Sequence, residues 1–166
     1  MRSIRRSLNW LLVSVALFGA GCKKNHSPGT YVNASVNGTE MNFMSQVTPI
    51  WIDQYTSFTV SATDSVHHGF IGISVSAYDA SGSVNITPGL YTELSTTKAG
   101  FVGFVDISSN KSYTNYADPV NFITVTVDEV NPGYIKGSFR GKLQYLPLSG
   151  AAETISINGE FGIEIK

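Results

Sequence analysis

Residues able to act as nucleophile, proton carrier or metal ligand are sparse in this sequence, and their spacing limits each of them. Histidine occurs at His26, His67 and His68 only. A hydrolytic triad needs a histidine near a nucleophile. No serine stands in Gly-x-Ser-x-Gly, since Gly137-Ser-Phe-Arg-Gly141 has the serine one place early. His67 and His68 are neighbours, and neighbours on a strand point to opposite faces. They are poorly set to share a metal ion and read as a solvated turn. Gly137 to Lys142 is one residue short of a phosphate loop, and Leu143 replaces the Ser/Thr that would meet magnesium. Asp128, Glu129 and Asn131 lack the Asp-x-Asp-x-Asn-Gly series of a calcium loop. A turn before Pro132-Gly133 accounts for them. Paired carboxylates for glycoside cleavage need not be close in sequence. Nothing selects such a pair among the 12 acids.

The aromatic residues offer a second kind of chemistry. Trp51 and Tyr55 lie four apart, and Tyr113, Asn115, Tyr116 and Asp118 populate one loop-like stretch. Flat rings beside amides can stack on a sugar ring. Trp51, Tyr55, Tyr113, Asn115 and Tyr116 are therefore the candidate ligand-binding residues. Core packing and loop pinning explain the same rings equally well. The sequence supplies no catalytic set, no metal set and no cofactor motif.

Cys22, the only cysteine, has a different chemistry. Arg2, Arg5 and Arg6 precede the apolar run Leu8 to Phe18, and Gly19, Ala20 and Gly21 lead directly into the cysteine. Basic start, short apolar run, small residues and a cut are the order of an export signal. The run is too short for a membrane span, which needs roughly 20 residues. A cysteine placed there makes it look like a lipoprotein signal, in which the thiol is acylated and becomes the new N-terminus. Gly19 departs from the usual pattern, which has an aliphatic residue at that place. The expected organisation is residues 1–21 as signal peptide, 22–29 as a lipidated tether and 30–166 as one domain. The tether reaches at most about 25 Å when extended. Several acyl chains give a firm membrane anchor.

Composition excludes further classes. Charged residues make up 14% of the chain, and removing the three signal arginines moves the formal charge from −1 to −4. A mildly acidic domain with scattered lysines offers no groove for nucleic acid. No disulfide can form within a chain holding one cysteine, so packing alone must hold the fold.

The elements that would position any site are strands. From Tyr31 the apolar period is two. Val32, Ala34 and Val36 alternate with polar residues, and Asn37-Gly38 supplies the positive-φ pair of a tight hairpin. Ile50 to Val60, Phe70 to Tyr78, Phe101 to Ile107 and Val120 to Val127 continue the pattern. Phe101 to Ile107 is apolar on both faces and should be central. Asp128 to Gly133 is expected to turn the chain, and Ser108 to Pro119 to be a loop. Ile135-Lys-Gly137-Ser-Phe139 returns as Ile157-Asn-Gly159-Glu-Phe161. We read these as paired antiparallel strands whose glycines leave room for the partner's phenylalanine ring. Lys136, Arg140 and Lys142 would then face Glu160 and Glu164. About ten strands without helical spacing predict an all-β antiparallel sandwich or barrel.

Ala34 to Thr39, Gly89-Leu-Tyr91, Gly137-Ser-Phe139 and Gly159-Glu-Phe161, behind a signal ending in cysteine, give a layout that resembles small uncharacterised Bacteroidota-type lipoproteins. That resemblance implies an all-β domain and carries no activity. In such proteins acids after the cysteine often accompany surface display. Lys23-Lys24 depart from this and suggest the periplasmic face of the outer membrane rather than the cell surface. The expected role is a non-catalytic binding or assembly module, tethered by its acyl chains to the membrane and meeting an envelope protein or glycan. A lipocalin-like barrel for a small apolar ligand is the first alternative, and a glycan hydrolase the second.

Overall fold

A computed structural model describes residues 29–43, 48–53, 56–114 and 122–165. Cys22 and the signal lie outside them. Twelve strands follow in order, without helices among the described residues: β1 Tyr31–Val36, β2 Thr39–Asn42, β3 Thr48–Asp53, β4 Ser57–Asp64, β5 Gly69–Asp79 and β6 Gly82–Ser83; then β7 Gly89–Thr92, β8 Lys98–Asp106, β9 Lys111–Thr114, β10 Thr124–Asn131, β11 Tyr134–Tyr145 and β12 Glu153–Glu164. The expected all-β antiparallel fold is what forms.

Alternation builds the strands. In β1, Val32, Ala34 and Val36 are buried, with the residues between them half-exposed. In β4 the same holds for Phe58, Val60, Ala62 and Asp64. Asn37 (φ 49°) and Gly38 (φ 83°) close the β1–β2 hairpin, as the sequence requires. β12 runs unbroken through Asn158-Gly159, which rules out a turn there.

β11 and β12 pair over their whole length and bring the repeated motif onto itself. Gly137 stands opposite Phe161, and Gly159 opposite Phe139. A Cβ at Gly137 would lie 2.6 Å from Phe161 Cζ, and one at Gly159 2.5 Å from Phe139 Cζ. Each glycine therefore makes the space that the facing ring fills.

Along the hydrogen bonds the sheet reads β2-β1-β12-β11-β9-β8-β5-β4-β3; β10 also pairs with β11, and β7 with β10. The two-residue β6 only extends the end of β5. The sheet is not closed. β11 holds β10 along Tyr134–Arg140 but touches β9 only at Gln144. The sheet thus forks at β11 into two leaves, β2-β1-β12-β11-β10-β7 and β9-β8-β5-β4-β3. The leaves face each other: Phe58 of one meets Phe161 of the other, ring centroids 5.8 Å apart. Tyr91, Phe43, Phe58 and Phe161 are the largest fully buried side chains between them. Burying each contributes about 1.5–3 kcal/mol.

Four sequence expectations need correction. Ile50 to Val60 is not one run, because β3 ends at Asp53 and its antiparallel partner β4 starts at Ser57. Ser108 to Pro119 is not one loop, because Lys111–Thr114 forms β9 on β8. Its alternation is too short to be noticed: only Tyr113 turns inward. Asp128 and Glu129 do not turn the chain. They belong to β10, which continues to Asn131 through a bulge between Val127 and Glu129. The bulge shifts the inward phase by one residue, and the turn is confined to Pro132-Gly133. Finally, Lys136 does not pair with the acids of β12. Its Nζ lies 2.8 Å from Glu129 of β10, since the register puts Gly162 opposite Lys136.

Candidate functional site

Of the five aromatic and amide candidates, only Trp51 and Tyr113 lie among the described residues, on separate strands. Trp51 lies on the edge strand β3 opposite Phe58. Tyr55, Asn115 and Tyr116 lie outside the described residues. Tyr113 is on β9, separated from β3 by the three strands β8, β5 and β4. Its ring is buried, 6.2 Å from Phe104 and 5.9 Å from Tyr145 between centroids.

The Tyr113 hydroxyl donates to Glu153 Oε1 at 2.8 Å, and Lys111 Nζ lies 2.5 Å from Glu153 Oε2. Those two hydrogen bonds, Lys111 first, hold the Glu153 carboxyl below its ordinary range. Burial, then the bond to Glu153, pushes the Tyr113 phenol up to about 12. The trio clamps β9 to the start of β12. Tyr113 packs the core and ties strands together.

The histidine turn is also built. Asp64 is 2% exposed and ends β4. Its carboxylate accepts from the Val66 and His67 amides at 2.8 and 3.2 Å, and its other oxygen lies 2.7 Å from His67 Nδ1. His68 completes the turn at φ 52°. The described residues contain no group of three His, Cys, Asp or Glu able to hold a metal ion. Asn131 donates from Nδ2 to Glu129 Oε1, and Glu129 faces Lys136. The Asp128–Asn131 region is therefore cross-linked to β11.

A concave polar surface among the described residues lies elsewhere, on the outer face of the first leaf. There the register stacks two ladders of opposed residues across five strands. One runs Thr126, Ser138, Glu160, Asn33; the other runs Thr124, Arg140, Asn158, Ser35, Glu40. Together they line a groove of about 530 Å³. Asn33 Nδ2 donates to Glu160 Oε1 at 3.3 Å. Arg140, Glu160 and Glu40 take part in no ion pair among the described residues, whose pairs are His67–Asp64, Lys111–Glu153 and Lys136–Glu129. A second cleft of about 430 Å³ adjoins it, sharing Asn33, Glu40 and Glu160 and reaching His67.

The groove thus presents hydroxyls, amides, one guanidinium and two carboxylates, all held on strands rather than loops. Such an array can fix a polar, partly charged ligand by direct hydrogen bonds. The polar faces of β11 and β12 were readable from their alternation. Their continuation onto β10, β1 and β2 was not, because only the register aligns the rungs.

Comparisons with family models, with curated proteins and with solved structures returned no match.

Proposed function

We propose that this chain is a lipid-anchored, non-catalytic binding or assembly module of the cell envelope. Acylated Cys22 tethers it to the periplasmic face of the outer membrane, and the groove over β10, β11, β12, β1 and β2 holds an envelope protein. The observation that carries this reading is the groove itself. It gathers Arg140, Glu160 and Glu40 without ion-pair partners among the described residues. Charges left uncompensated on a rigid polar surface favour a partner of complementary charge.

The core counts against the lipocalin-like alternative. The sheet is open, and rings such as Phe58 and Phe161 fill the space where a ligand would sit. For the hydrolase alternative, the groove does hold two acids. By register Glu40 and Glu160 flank β1 on separate strands, two residues out of step.

A photo-crosslinking amino acid at Ser138, in the full chain expressed with its signal, tests the reading. A discrete crosslinked product that disappears with Arg140→Glu is expected. A product unchanged by Arg140→Glu, or none at all, contradicts it.

A further inference from the structure

The second leaf has an outer face of an unusual kind. On β4, β5, β8 and β9 every charged side chain (Asp64, Asp79, Lys98, Asp106, Lys111) has the parity of the inner face and stands at a strand end. The outward positions of these strands therefore carry no carboxylate, amine, imidazole or guanidinium. Most are serine, threonine, glycine or alanine. The first leaf contrasts sharply, with Glu129, Lys136, Arg140, Lys142 and Glu160 on its outer side.

Three rings stand on this neutral face, Tyr78 (44% exposed) at the far end of β5 and two phenylalanines. Phe70 is 38% exposed and Phe101 39%. By register Phe70 sits beside Val105, and Phe101 beside Ser74. Between their two rungs lies the pair Gly72 and Gly103. Nothing comes within 4 Å of where a Cβ at Gly72 would stand, whereas a Cβ at Gly103 would meet the Phe101 ring at 3.5 Å. Phe101 thus leans over Gly103, and a shallow saddle floored by backbone separates the two rings. Hydroxyls border it: Thr59 Oγ1 and Ser74 Oγ lie 2.9 Å apart, each with further hydrogen-bonding capacity.

An exposed apolar pair on an otherwise hydroxylated face calls for an occupant. An anionic membrane surface would want lysine or arginine here. Protein interfaces favour Tyr, Trp, Met and Arg at their centre and are depleted in Ser and Ala, whereas here Tyr78 stands at the strand end and glycine and serine hold the centre. A neutral sugar chain fits both halves of the surface: its C–H faces stack on the rings, and its hydroxyls exchange hydrogen bonds with Ser and Thr. Charge matching points the same way, since an uncharged face does not penalise an uncharged polymer by desolvating a fixed charge. We infer that the outer face of β4, β5, β8 and β9 binds a neutral polysaccharide, with Phe70 and Phe101 as its stacking platforms. This rests on the chain being a binding module, but not on the groove.

Affinity electrophoresis of the full acylated chain in detergent tests it, in gels cast with laminarin, mannan or dextran, and with polygalacturonate as the charged control. Retardation by at least one neutral polymer is expected. The association constant should fall tenfold or more in Phe101→Ala and in Ser74→Lys, which sets a charge between the rings, and stay unchanged in Arg140→Glu. Both variants replace exposed or half-exposed side chains, and unfolding curves will show that they fold. No retardation by any neutral polymer, or retardation that survives both variants, overturns the proposal. So does a dimer in sedimentation that Phe101→Ala dissolves, which would make the face a contact between copies. Binding of Cys22→Ser protein to phosphatidylcholine vesicles that Phe101→Ala abolishes would equally overturn it. The crosslink at Ser138 reports on the groove alone, so failure of one reading leaves the other standing.

Discussion

Gly159 has no room for a side chain. A Cβ there meets the carbonyl oxygen of Asn33 on one side and Phe139 Cζ at 2.5 Å on the other. The carbonyl cannot swing away without breaking the β1–β12 ladder. Gly159→Ala should therefore destabilise the fold by about 3 kcal/mol, read as a lower denaturant midpoint at unchanged slope. Tyr113 predicts a pH effect. Its phenol is held protonated up to about 12, against 10.0 in an unfolded chain. The unfolded state then loses its proton first as pH rises, so this contribution is intact below pH 10 and fades towards pH 12. Tyr113→Phe should flatten that alkaline decline in thermal unfolding between pH 9 and 12. A decline of the same size in the variant would contradict the assignment. The glycine–ring match was legible in the sequence because the motif is written twice. The role of Tyr113 was not, because its acceptor Glu153 lies 40 residues away.

At the level of elements, strands with long alternation were legible and short ones were not. β5, β11 and β12 each run through several buried positions, so one face declares itself. β9 turns one ring inward and β6 none. The β10 bulge breaks the period where sequence reading expects a turn. Phe101 to Ile107 read as central because both its faces are apolar, and β8 indeed lies between β5 and β9. The outward Phe101 that gave this impression belongs to the exposed neutral face, so that apolar signal came from the surface. The β1–β2 hairpin rests on Gly38 at φ 83°. Gly38→Ala meets no atom within 4 Å, so its cost is backbone strain alone. A loss of about 1 kcal/mol in chemical unfolding is expected. A larger loss would mean that the turn makes tertiary contacts.

The whole molecule divides its outer surface by charge. One leaf carries ionised residues and the polar groove, and the outer face of β4, β5, β8 and β9 carries hydroxyls and three rings. The polar alternation of β11 and β12 was visible in the sequence, yet the groove also needs β10, β1 and β2, which the register brings in from distant parts of the chain. The described chain enters β1 at Tyr31. By register that is the end of the first leaf where Tyr134 and Glu164 meet, opposite the Asn37-Gly38 turn. Thr30 is already part of the domain, since its hydroxyl accepts from the Glu164 amide at 3.1 Å. On the proposed anchoring at Cys22, a tether of about 25 Å would set that end nearest the membrane and leave both outer faces open sideways to partners. This arrangement depends on the anchor. Intact mass and N-terminal peptide spectrometry of the protein from membranes tests it most directly. The account predicts a chain beginning at Cys22 and carrying the mass of its acyl groups. A chain retaining Met1, or a Cys22 with a bare thiol, would contradict it.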